Sequence, residues 1–149
     1  MITLHAGALL TTVRLGGQLG DRWSRRLTLL LGLSIQVSVM VYFALLPAGL
    51  PPWTAAIGLL VHGMAAGLSL AVLHQVAMDH IPQAQSGEAA GLYSMTRFGG
   101  NILGTTLGGV VLQQALGRAA MPIGAYQISF AFIALVGFTG IFVAGRIRE

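Results

Sequence analysis

Few residues in this chain have chemistry to offer, and they come in small groups. Asp21, Arg22, Arg25 and Arg26 crowd into "GGQLGDRWSRR", residues 16–26. An acid in such a place can satisfy free N–H groups at a helix N-terminus. Three guanidinium groups can attract anionic lipid. Gly16, Gly17 and Gly20 let a helix end approach a neighbour closely. The plainer reading is a loop whose arginines set orientation in a membrane, and composition alone leaves both open. Farther along, Gln36, His62 and His74 stand inside apolar runs. A histidine there can relay protons or meet a cationic substrate. A packed, hydrogen-bonded role for His62 and an interfacial one for His74 are the alternatives. His5 and His80 sit near the ends of such runs and carry little signal. Arg97 and Asn101 complete the set of polar groups that could line a substrate path. A cation at the bilayer centre costs roughly 2.5–3.5 kcal/mol on insertion scales. Arg97, two turns into its apolar run, is therefore expected to snorkel or to form a structural pair before it meets substrate. Arg14 is read the same way.

The elements that must position these groups follow from composition. The chain has 149 residues, 55% hydrophobic and 8% charged. A soluble domain is about 25% charged, so this is not one. Every basic residue is Arg, and eight of them face four acids, giving a net charge of +4. The pI near 10.8 invites a nucleic-acid reading. That reading fails: the arginines form no dense stripe, and the segments between them could not stay in water. With no Cys, a disulfide framework or thiolate metal site is excluded.

No charged residue occurs from Leu27 to Met78, from Phe98 to Gly117, or from Ala119 to Gly145. A spanning helix needs roughly 20 mostly apolar residues. The first gap holds two such helices, broken by "LPAGLPPW" at Leu46–Trp53, whose prolines and glycine make a turn. Five spans are expected, at about 2–19, 27–46, 53–76, 89–113 and 123–144, in a single membrane domain. A signal peptide is the alternative for the first. It would carry its positive charge before the apolar core, whereas here the charge follows. Arg22, Arg25 and Arg26 precede the second span, and Arg146 and Arg148 follow the fifth; the opposite side has Arg118. The arginine bias therefore puts these loops and the C-terminus in the cytoplasm and the N-terminus outside. Within the fourth span Gly100, Gly104 and Gly108 share one helix face. That face allows backbone contact with another helix, as static packing or as a sliding, gating contact.

The loop at residues 16–26 resembles the signature loop of the major facilitator superfamily, which reads Gly-x-Leu-(Ala or Gly)-Asp-Arg-x-Gly-Arg-(Arg or Lys). Gly17, Leu19, Gly20, Asp21, Arg22, Arg25 and Arg26 match at the right spacing. Ser24 stands where the family usually has Gly, which makes a tight turn there slightly less favoured. "IPQAQSGEAAGLYSMTRFGGNILGTTLGG" resembles the start of the eleventh helix in drug:proton antiporters of that superfamily, at Pro82, Gly87, Gly91, Arg97, Gly100 and Gly104. On this alignment the five spans are similar to helices eight to twelve, over essentially the whole chain.

The resemblance implies an all-α polytopic membrane protein, an incomplete C-terminal half of a major facilitator fold. It implies secondary active transport of a small-molecule substrate, in the form of proton-coupled export of drugs or other amphipathic compounds from the bacterial inner membrane. It also implies a conformational latch at Gly17, Gly20, Asp21, Arg22, Arg25 and Arg26. In the family this Asp caps a helix of the opposite half and stabilises the outward-facing state. The expected partners are the lipid bilayer and the N-terminal half of a transporter, which makes the chain a fragment. No nucleic acid, metal or cofactor is expected. Enzyme motifs are absent: there is no His-Glu-x-x-His, phosphate loop or Gly-x-Ser-x-Gly. The rival readings are a regulatory module that binds a full transporter, and a small channel or membrane-embedded enzyme.

Overall fold

The computed structural model describes residues 2–119 and 121–146. Among them the regular structure is helical: α1 (Ile2–Arg22), α2 (Arg25–Leu45), α3 (Pro52–Met78), α4 (Ser86–Leu116) and α5 (Pro122–Ala144), with a 3-10 turn at Gln83–Gln85 before α4. Arg148, used above for orientation, lies outside the described residues.

Local chemistry explains the boundaries. Ser24 caps α2: its hydroxyl accepts from the Leu27 N–H at 3.1 Å. Its backbone is extended, at φ −173°. The expectation that Ser is unfavourable at this position is therefore corrected, because no left-handed conformation is required and the hydroxyl serves as a cap. Pro52 and Pro122 each sit in the first turn of their helices, where a missing N–H costs nothing. Gly49 takes φ 85° in the turn between α2 and α3.

Three helices, α2, α3 and α5, are long and apolar enough to cross a bilayer. α1 carries Arg14, Asp21 and Arg22, and α4 carries Glu88, Arg97 and a run of glycines, which lowers the apolar character of both. The molecule buries little of its own grease. Leu29 and Val72 are among its few fully enclosed side chains, whereas Leu10, Leu45, Met95 and Phe142 lie largely uncovered. Large apolar side chains left outside in such number need an apolar solvent.

The ends of the helices sort by charge. Arg25 Nη1 lies 2.6 Å from Asp79 Oδ2, which ties the α1–α2 connection to the end of α3. At the opposite end Gln127 Nε2 donates to the Leu46 carbonyl at 2.9 Å, and the Tyr42 hydroxyl to the Thr54 carbonyl at 3.2 Å. One end thus gathers Asp21, Arg22, Arg25, Arg26, Asp79 and Glu88, and the other has Arg118.

α1 and α3 run side by side in the same direction and make the tightest pairing. Gly16 lies on the backbone of Leu68, where an added Cβ would come within 2.7 Å. Gly63 lies against the His5 carbonyl, and Gly67 against Thr12 and the Leu9 carbonyl. Gly63 and Gly67 are four residues apart and present one face, the small-residue spacing that lets helix backbones meet. The hydroxyl of Thr12 uses that proximity to donate to the Met64 carbonyl at 3.0 Å. Gly32 performs the same service between α2 and α3, under Ser69. α4 leans mainly on α5 and touches α3 lightly. Among the described residues nothing comes within 4 Å of a Cβ added at Gly100, Gly104 or Gly108. The glycine face expected to receive another helix therefore opens onto space within this chain.

Candidate functional site

The light contact between α3 and α4 leaves clefts between the helices. One, of 750 Å³, runs between α4 and the wall made by α2, α3 and α5. Its lining includes Met40, His62, Asn101, Gly104, Gly108 and Tyr126. A second, 510 Å³, lies toward the charge-poor end and is lined by His5, Phe43, His62, Tyr126, Gln127 and Phe130 among others. His62 belongs to both, so the two share a wall. Aromatic rings dominate that wall: Phe43 and Phe130 stand with centroids 5.0 Å apart. Among the described residues no acidic or basic side chain other than histidine lines either cleft. Apolar concavities with a few convergent polar groups are the usual form of a small-molecule site.

A third cleft, 390 Å³, opens toward the charged end between α1, α3 and α4, lined by His74, Gln75, Tyr93 and Arg97 with Val13, Leu70 and Ala71. His74 meets Tyr93 edge-on at 5.4 Å. The guanidinium of Arg97 lies 5.2 Å from the Phe98 ring.

The residues singled out from the sequence thus divide. His62 and Asn101 come together in the 750 Å³ cleft, beside Gly104 and Gly108. Arg97 stands apart in the third cleft. Gln36 lines neither cleft that His62 lines; its amide donates to Ser69 Oγ at 2.9 Å and so joins α2 to α3. One residue that carried little signal proves to be central. The His5 ring lies 5.1 Å from that of His62, tilted by 31°. They are 57 positions apart, and only the parallel α1–α3 pairing brings them together. The "GMAAG" spacing at Gly63–Gly67 was the sequence signal that could have pointed to it.

The expected loop at residues 16–26 is mostly helix, the end of α1 and the start of α2 with a break at Trp23–Ser24 between them, and it is built against α3. Gln75 Nε2 donates to Asp21 Oδ1 at 3.2 Å and approaches the Gly17 carbonyl at 3.4 Å. The other end of that amide rests on Gly20, where an added Cβ would stand 2.9 Å from Gln75 Oε1. So Gly20 makes room for the amide that holds Asp21. Arg25 pairs with Asp79, and the two side chains are 37% and 39% exposed. A pair that wet contributes little stability, ~0–1 kcal/mol; its use is to hold two loops in register.

The family model described as Major Facilitator Superfamily matches residues 1–148. The chain belongs to the major facilitator superfamily. A Bacillus subtilis (strain 168) protein described as an uncharacterized MFS-type transporter, YvkA, is 23% identical over 134 residues. That match covers 90% of this chain and 28% of the relative. No solved structure matches at a significant level. Membership in this superfamily, with its apolar helices, makes the chain a multi-pass membrane protein of a transporter family.

Proposed function

We propose that the chain serves secondary active transport as the C-terminal part of a larger transporter, exporting drugs or other small amphipathic compounds in exchange for protons. All five helices cross the bacterial inner membrane, with the charged ends and the C-terminus cytoplasmic and the N-terminus outside. The observation that carries this reading is the pair of joined clefts. They are apolar and aromatic-walled, the described residues lining them include no acid or arginine, and together they run from the charge-poor end toward the middle of the helices. Such a lining suits a substrate that is greasy over most of its surface. In folds of this kind two halves rock about a site near the bilayer midplane. The Gly100–Gly104–Gly108 face is then a packing or gating surface toward the rest of the transporter, and Asn101 and His62 are polar points on the path. The loop at Gly17, Gly20, Asp21, Arg22, Arg25 and Arg26 is the latch, and Arg97 lines its cytoplasmic approach.

The test is transport itself. The chain assembled with the remainder of its transporter in proteoliposomes, given an inward-directed proton gradient, is expected to move ethidium outward. Collapse of the gradient should stop the flux. Ethidium movement that ignores the gradient, or no movement with a confirmed assembly, contradicts the export reading.

A further inference from the structure

We propose that His5 and His62 form a single proton-binding site in the wall of the two joined clefts, and that a proton held there excludes a lipophilic cation from them. This rests on the export reading and adds the charge class of the substrate and the groups that sense it. The geometry begins with Gly63, whose missing side chain lets α1 approach α3 and sets the two rings 5.1 Å apart. His5 Nδ1 lies 3.3 Å from the Leu59 carbonyl. A carbonyl accepts, so that nitrogen carries the hydrogen, and the opposite ring nitrogen is left to take up a proton. Two cationic rings at this spacing repel, so the pair holds one proton at a time.

The surroundings decide what that proton does. Met40 faces the histidines from α2, Asn101 from α4 and Tyr126 from α5. Among the described residues the Tyr126 phenol is the one titratable group that these three elements bring to the linings, and α1 and α3 bring the two histidines, beside the apolar Ala55 and Leu59. No acid is at hand to neutralise a charge on the pair. A protonated pair therefore sets the sign of both clefts. With the pair neutral, the faces of Phe43, Tyr126 and Phe130 offer a lipophilic cation attraction without desolvating a carboxylate. Proton and cation then compete, and linkage makes the exclusion reciprocal.

The experiment uses the full 149-residue chain in lipid nanodiscs, with tetraphenylphosphonium as probe and ring-labelled histidine read by NMR. Binding is expected to be at least about tenfold tighter at about pH 8 than at about pH 5.5. His5→Phe keeps the ring contact and removes the titration; His62→Gln removes the second ring. Each should flatten the pH dependence to within about twofold. Equal wild-type affinity at both pH values overturns the proposal. So does absence of probe binding at either pH, or full pH dependence retained in both variants. An assembled transporter that moves no ethidium, while probe and proton still compete here, sinks the export reading and spares the pair. Gradient-driven ethidium transport with pH-independent probe binding does the reverse.

Discussion

Gly67→Leu unfolds the α1–α3 pair. A single added carbon at this position already meets the Thr12 hydroxyl and the Leu9 carbonyl, with the Val13 nitrogen at 3.0 Å. Two of those three neighbours are backbone of a packed helix and cannot swing aside. Leucine adds three more carbons to the same space. Overpacking costs typically about 1–3 kcal/mol where side chains can yield, and here the yielding group is mostly main chain. The expected loss therefore lies at or above about 3 kcal/mol. It also removes the Thr12 bond to the Met64 carbonyl and moves His5 away from His62. Gly104→Leu is the control, since its Cβ meets nothing within 4 Å in this chain. It should change stability by no more than about 0.5 kcal/mol. Reversible unfolding of both variants in mixed micelles, followed by far-UV dichroism, makes the comparison. Equal losses would mean that the α1–α3 interface is not where the chain is held.

Asp21→Asn is expected to cripple the assembled transporter and hardly disturb the isolated chain. Asn keeps an oxygen for the Gln75 amide, so the 3.2 Å bond survives the change. At an exposed site the remaining loss is within about 0.5–1.5 kcal/mol, the net worth of a hydrogen bond. What disappears is the negative charge. In the latch proposed for this loop, that charge faces the end of a helix in the opposite half. A charge at a helix terminus contributes about 0.3–1 kcal/mol when exposed and up to about 2 when partly buried. The upper figure shifts a two-state equilibrium about thirtyfold. Transport should fall by up to that factor, with cysteines in the cytoplasmic cavity becoming more reactive. Normal transport with unchanged reactivity would reduce the loop to a set of arginines that fixes orientation.

Charge placement made the broad plan legible. The long uncharged gaps and the proline-rich turn at Leu46–Trp53 mark where α2, α3 and α5 lie, because solvation in lipid punishes charge strongly and locally. Helix ends moved by up to three residues: α4 runs from Ser86 to Leu116, three residues beyond the expected span at each end. Hydropathy marks the lipid boundary, and a helix continues past it into the loops. Pairing between helices was far less visible. The glycine face at residues 100–108 and the one at Gly63–Gly67 have the same spacing, and spacing does not say which face meets a partner. Only the fold shows that α1 seats itself on the second. Gln36 makes a related point: a polar side chain inside a membrane helix bonds what lies within reach, and Ser69 is in reach, which spacing along one helix does not reveal. The His5–His62 pair needed two helices in parallel register, which no local pattern encodes.

Everything proposed for the clefts and the loop requires five crossings with the charged ends together in the cytoplasm. The sequence contains no cysteine, so single cysteines can be placed without further changes. Trp23, Gln83 and Arg146 stand at or beside the charged ends, and Ala48 and Arg118 at the other. Each is replaced by Cys in turn, with an epitope placed before Met1, and intact cells are treated with a membrane-impermeant maleimide. Labelling at positions 48 and 118 and an accessible epitope, with positions 23, 83 and 146 reacting only after permeabilisation, is the result expected. Labelling of position 83 from the same side as position 48, or of position 146 from the same side as position 118, would contradict it.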